Sequence, residues 1–156
     1  SAALPEALRA RLEVTQQTRA EQIESARALY AEAGVKAVCE PFFDDMGPLY
    51  SAAHLVISRS GASSVSEIAA LGRPSLLVPL EIAMDDHQRA NAEGLVAAGA
   101  AAIITEADIA AGLLSARLET LLGDGEALTR MAASALNAGK ADAHLRLSAL
   151  LQSAVR

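Results

Sequence analysis

The residues best suited to ligand chemistry lie in the stretch Ser58-Arg-Ser-Gly-Ala-Ser-Ser-Val-Ser-Glu-Ile-Ala-Ala-Leu-Gly-Arg-Pro-Ser75. Its turn, Ser60-Gly61-Ala62-Ser63-Ser64, has no bulky side chain. The free N–H groups and dipole of a helix starting there could meet a phosphate, with Ser63 and Ser64 adding hydroxyl donors. An ordinary capped helix whose loop contains a glycine would look the same. Glu67 is open to two readings as well. Its carboxylate could accept hydrogen bonds from a ribose diol. Ser64-x-x-Glu67 also matches a capping box, with Ser64 as N-cap and Glu67 at N3, and the pattern alone favours the cap. A cap turns the carboxylate back onto the backbone, whereas a ribose needs it pointing into a cleft.

A further polar group, Asp85-Asp86-His87-Gln88 with Asn91, opens another helix pattern. Asp86 could be its N-cap, leaving His87 and Gln88 to offer donors and acceptors to sugar hydroxyls. A plain polar helix start is the alternative. A metal site is disfavoured, because neighbours in a helix point in different directions. Asp44-Asp45 could suggest paired acid/base carboxylates, but adjacent acids at a helix start read better as caps. The backbone at Phe42-Phe43 follows another strand, where a base could lie along it. His54 and His144 stand alone and read as ordinary surface or core-edge residues. Cys39 lies in the apolar run Val35 to Pro41, which suits a buried inert thiol. No Ser-His-Asp or Cys-His set is identifiable, and no general base is obvious.

These groups need elements to position them. Leu55-Val-Ile57 leads into the Gly61 turn as a strand. Val65, Ile68, Ala69 and Leu71 follow as a helix pattern, Gly72 and Pro74 stop it, and Leu76-Leu-Val78 leads out. Such a unit implies a right-handed parallel crossover. Upstream, a short helix remnant over Ser1 to Ala10 precedes a strand at Leu12 to Thr15. A helix from about Glu21 to Ala33 and a strand at Val35 to Cys39 come next. The Pro41 to Met46 loop then opens a helix to about Ala53. Downstream, a loop from Pro79 to Asp85 leads to a helix from about Asp86 to Ala98. A strand at Ala101 to Ile104 precedes helices at Ala107 to Leu122 and Glu126 to Leu136. After a break at Gly139, a helix runs from Asp142 to Val155. The alternation predicts an α/β fold with a parallel sheet, whose C-terminal edge gathers the Gly61 turn and the Asp86 segment. No G-x-G-x-x-G or Walker A sequence occurs. The abrupt start, without an initiator Met, favours a truncated piece.

Composition narrows the function. At 156 residues, 52% of them hydrophobic, the chain is one domain with enough length to bury a core. With two Phe, two Tyr, no Trp and a net charge of −6, neither a stacking platform nor a basic footprint for nucleic acid is present. The single cysteine excludes an internal disulfide and a thiolate metal cluster. No apolar run approaches the about 20 residues of a membrane span, and no signal peptide pattern occurs. A cytoplasmic protein is the default expectation.

Taken in order, Phe43-Asp-Asp-Met46, Tyr50-x-x-Ala53-x-Leu-Val-Ile-Ser-Arg-Ser-Gly-Ala62 with Glu67, Pro74-Ser-Leu-Leu-Val-Pro79, Asp86-His-Gln-x-x-Asn-Ala92 and Gly99-Ala-Ala form a specific set. From about Leu12 to its end the chain resembles the MurG family, the N-acetylglucosaminyltransferases that convert lipid I to lipid II in peptidoglycan synthesis. The resemblance implies the C-terminal half of a GT-B glycosyltransferase, a Rossmann-like donor domain for UDP-GlcNAc. It implies that the Phe43 backbone recognises the uracil edge and that Gly61, Ala62, Ser63 and Ser64 hold the diphosphate. Glu67 would bind the ribose hydroxyls, the Asp86-His87-Gln88 segment would contact the N-acetylglucosamine hydroxyls, and Asn91 would belong to the UDP-GlcNAc-binding set. Some members carry consecutive glutamines where this chain has His87-Gln88, which makes Gln88 the safer assignment. Inversion by direct displacement, without a cofactor or an obligatory metal, is implied too.

In the family a strand and glycine-rich loop would precede Ser1. The N-terminal domain, with the lipid I acceptor site, the membrane-binding surface and the base, would also lie outside this chain. The full-length protein would then sit at the cytoplasmic face of the bacterial inner membrane. The chain alone is expected to be inactive and to self-associate through uncovered apolar surface. Another GT-B nucleotide-sugar transferase and a non-catalytic nucleotide-binding module are the competing readings.

Overall fold

Both faces of the sheet that carries the Gly61 turn are built on one short strand. The computed structural model describes residues 4–80 and 87–154, with side chains described through residue 140. Strand β4 (Ser75–Leu77) lies between β3 (Val56–Ser58) and β5 (Ala101–Ile103), and both pairings are parallel. Successive strand side chains point to opposite faces. Leu77 accordingly joins Val56, Ile68, Ala92, Leu95 and Ala135 in one apolar cluster. Leu76 and Val78 join Ile104 in another, flanked by Ile109, Leu114, Leu118 and Leu121. A parallel strand buried on both faces must be apolar throughout, as this one is after Ser75.

Helices cover each face. Ile68 and Ala69 come from α4 (Ala62–Ala70), and Ala92 and Leu95 from α5 (His87–Ala97). Ala135 belongs to α8 (Gly125–Ala154). On the opposite face lie α6 (Glu106–Ala110) and α7 (Leu114–Gly123), which supply the partners of Leu76 and Val78. Parallel α/β architecture is therefore present as expected.

The N-terminal elements form their own parallel pair. After α1 (Glu6–Arg9) comes β1 (Glu13–Gln17), then α2 (Ile23–Glu32) and β2 (Lys36–Glu40), with Glu13 opposite Lys36 and Gln17 opposite Glu40. Helix α3 (Met46–Ala52) links this pair to β3. Among the described residues no ladder joins β1 or β2 to β3, β4 or β5, so the strands fall into two sheets. Val38 on β2 and Ile57 on β3 remain about half exposed, at 53% and 49%.

Two boundaries differ from the sequence reading. The helix expected over Ala107 to Leu122 is two helices, interrupted at Gly112, whose φ of 81° is a left-handed stop. The break expected at Gly139 does not occur, and α8 runs straight through it. A Cβ at Gly139 would stand 2.6 Å from the Ala69 carbonyl oxygen, so this glycine lets α8 lie directly against α4. Packing, not chain reversal, demands it.

Two expectations follow. Alanine is better than glycine in a helix by about 1 kcal/mol, but the overpacking at Gly139 costs about 1–3 kcal/mol. Gly139→Ala therefore lowers the midpoint of urea unfolding, and a rise would show that α8 does not rest on Ala69. At α6, Thr105 Oγ1 accepts from the Asp108 N–H and Asp108 Oδ2 accepts from the Thr105 N–H, each at 3.0 Å. The backbone bond, then the side-chain bond, holds the Asp108 carboxyl below its ordinary 3.8. Its contribution is full above the unfolded value and is lost as pH falls through the folded one. Thr105→Ala should raise the Asp108 pKa in an NMR titration.

Candidate functional site

Because β3 pairs with β4 in parallel, the chain leaves both strands at the same edge. From β3 it passes through Arg59, Ser60 and Gly61 into α4. Gly61 is the N-cap, with φ −62° and ψ 148°, and the Val65 N–H closes the first helical bond onto its carbonyl at 3.0 Å. Glycine has no side chain to cap with, and α4 has no side-chain cap bond. Among the described residues nothing accepts from the N–H groups of Ala62, Ser63 and Ser64, the orphan donors of a helix start. Ala62 and Ser63 are exposed, and Ser64 is half-buried. A Cβ on Gly61 would touch nothing within 4 Å. Neither backbone strain nor packing calls for glycine there, and the space it leaves faces outward. Ser60, just before it, is fully buried, and among the described residues its hydroxyl has no hydrogen-bond partner.

The Ser64–Glu67 capping box is overturned by this geometry. The helix starts at Ala62, so Ser64 is already within the first turn and Glu67 lies in the next. Glu67 is exposed, and its carboxylate acts on Tyr50 of α3. Burial, and after it the Glu67 charge, raises the Tyr50 phenol above its ordinary 10.0. The carboxylate is not locked onto the backbone, which is what a ligand role requires.

Helix α5 sits on the core through Ala92 and Leu95 and turns two amide side chains toward this edge. Gln88 Oε1 accepts from the Leu80 N–H at 3.1 Å, holding the chain just after β4. Asn91 Nδ2 donates to the Ser60 carbonyl at 3.1 Å. Gln88 was expected at the sugar hydroxyls and Asn91 in the wider donor-binding set; each has one polar atom committed to backbone. His87 is exposed at the start of α5, while Asp85 and Asp86 lie outside the described residues.

Sequence reasoning missed the placing of Arg59. Its guanidinium forms an ion pair with Glu106 of α6 and approaches the carbonyls of Val78 and Pro79 at 3.4 and 3.5 Å. It thereby ties the turn after β3 to the end of β4. A lone basic residue between a strand and a glycine turn was the available signal. The ion pair itself is half exposed and adds little stability.

Other candidates have no hydrogen bond to this edge among the described residues. Phe43 is half-buried on the loop between β2 and α3, and no hydrogen bond among the described residues ties it to the Gly61 turn. Asp45 caps α3 by accepting from the Gly47 N–H at 2.9 Å, in keeping with the cap reading, and Asp44 is exposed. Cys39 is a buried free thiol and His54 is on the surface. The His144 side chain is outside the described set. Among the described residues no three His, Cys, Asp or Glu side chains converge on a possible metal position.

Comparison with known proteins places this edge in context. Residues 2–147 match the glycosyltransferase family 28 C-terminal domain. A UDP-N-acetylglucosamine--N-acetylmuramyl-(pentapeptide) pyrophosphoryl-undecaprenol N-acetylglucosamine transferase from Maricaulis maris is 51% identical over 142 residues, 91% of this chain and 39% of that protein. The enzyme of the same name from Caulobacter vibrioides is 47% identical over 155 residues, 99% of this chain and 43% of that protein. The crystal structure of MurG from Acinetobacter baumannii superposes with a TM-score of 0.72 at 38% identity, covering 86% of this chain and 40% of that one. Spinosyn forosaminyltransferase SpnP, at 22% identity and a TM-score of 0.56, shares the fold. The chain spans about two-fifths of the length of the curated relatives it matches. It belongs to the glycosyltransferase family 28 C-terminal domain family.

Proposed function

We propose that this chain is the donor-binding half of an inverting glycosyltransferase that moves N-acetylglucosamine from UDP to lipid I, giving lipid II in peptidoglycan synthesis. The observation that carries the reading is the uncapped start of α4, where Ala62, Ser63 and Ser64 present N–H groups beside the open space at Gly61. A diphosphate fits such an end, since the amides and the helix dipole both favour negative charge. Relatives named for UDP-N-acetylglucosamine, aligned over nearly the whole chain, supply the nucleotide sugar.

In this reading Glu67 accepts from the ribose hydroxyls, its carboxylate being free of the backbone. The Phe43 loop receives the uracil edge, and His87 with the Gln88 amide group faces the sugar. In the reaction the acceptor hydroxyl oxygen bonds to the anomeric carbon as the bond from that carbon to the diphosphate oxygen breaks. UDP leaves with the electron pair, and the acceptor proton passes to a base outside this chain. The α4 amides would be aimed at the charge that grows on the departing diphosphate, which is where preorganised donors accelerate a reaction. A non-catalytic module would have gained from a Glu67 locked as a cap, and that cap is absent.

The acceptor half, and any contact with the cytoplasmic face of the inner membrane, is assigned to the rest of the full-length protein. Among the described residues no helix is long and apolar enough to cross a membrane. The division into two parallel sheets supports one further element: a strand from outside residues 1–156, pairing with the open edges of β1 and β3.

Glu67→Ala in the full-length protein should weaken UDP binding by about tenfold or more, the worth of hydrogen bonds to a charged group, with its melting temperature nearly unchanged. Calorimetric titration reads this out. An unaltered affinity would remove Glu67 from the site.

A further inference from the structure

Ser60 is wholly buried immediately before the turn, so its carbonyl needs a donor from within the protein. Asn91 supplies it, across 31 residues of sequence, from a helix anchored by Ala92 and Leu95. The carbonyl can only accept, so the amide atom facing it must be the Nδ2 donor. One turn earlier on the same helix, Gln88 holds the Leu80 N–H by its Oε1. Residues three apart share a helix face, so one face of α5 grips the chain after β3 and the chain after β4 together. Among the described residues the Ser60 hydroxyl has no partner, and the Asn91 bond is the side-chain tie to this residue.

We infer that Asn91 is a positioning residue: through the Ser60 carbonyl it sets the orientation of the Gly61–Ser64 amides toward a nucleoside diphosphate and makes no contact with the sugar. This rests on the nucleotide reading above and gives Asn91 an indirect part in place of the direct UDP-GlcNAc contact implied by the resemblance. A residue acting in this way affects every ligand that carries the diphosphate, whatever is attached to it. A sugar ligand affects only the nucleotide sugar.

The test is calorimetric titration of the full-length protein and its Asn91→Leu and Asn91→Ala variants with UDP, UDP-GlcNAc and uridine. Asn91→Leu keeps the side-chain volume while deleting the donor, so it guards against a cavity effect in Asn91→Ala. Thermal unfolding confirms that the variant compared is folded. The expected result is a loss of about five- to tenfold for UDP and UDP-GlcNAc alike, in line with one hydrogen bond, with uridine affinity unchanged. Weakening of UDP-GlcNAc alone would overturn the inference in favour of a sugar contact. Equal weakening of all three ligands would reduce Asn91 to a structural role, and no weakening would show that the turn does not depend on it. Failure of the unsubstituted protein to bind UDP would overturn the nucleotide reading itself, and this inference with it.

Discussion

The burial of β4 on both faces is the constraint from which the rest of the site follows. Leu76 and Leu77 point in opposite directions and neither has any exposed surface, so helices must cover each side of the sheet. A fully buried leucine or isoleucine contributes about 1.5–3 kcal/mol, whereas a half-exposed ion pair such as Arg59–Glu106 contributes about 0–1 kcal/mol. Apolar layers therefore decide the arrangement, and the polar contacts adjust it. With covering helices on each side, the strands run parallel and leave at a common edge. The Gly61 turn and the chain after β4 meet there.

At that edge the important groups belong to the backbone. Gly61 has no side chain with which to cap α4, and among the described residues no hydrogen bond takes the amides behind it. Side chains serve mainly to hold this backbone in place. Asn91 takes the Ser60 carbonyl, Gln88 takes the Leu80 N–H, and Arg59 reaches the carbonyls beyond β4. In the proposed reading such a site would bind by shape and dipole. That division of labour suits a transferase whose acceptor and base come from elsewhere.

Much of this was legible in the sequence because it depends on local signals. Gly72 and Gly99, both with positive φ, end α4 and α5 where a helix stop was read, and the apolar runs between them are strands. The small residues around Gly61 marked the turn for the same reason. Tertiary effects were not legible. Ser64 and Glu67 have the spacing of a capping box, but the helix begins three residues earlier, since Gly61 adopts an extended conformation that starts it without a side chain. Gly139 looked like a break because glycine is a poor helix former, whereas its true reason, the Ala69 carbonyl, is seventy residues away in the chain. The separation of β1 and β2 from the other strands, and the bond from Asn91 to Ser60, are likewise non-local. Spacing alone carries no information about them.

The most direct measurement is a crystal structure of the full-length protein with UDP-GlcNAc bound. The account predicts diphosphate oxygens within hydrogen-bond reach of the Ala62, Ser63 and Ser64 amides, with the Glu67 carboxylate on the ribose hydroxyls. A diphosphate held elsewhere, with the start of α4 facing only water, would contradict it.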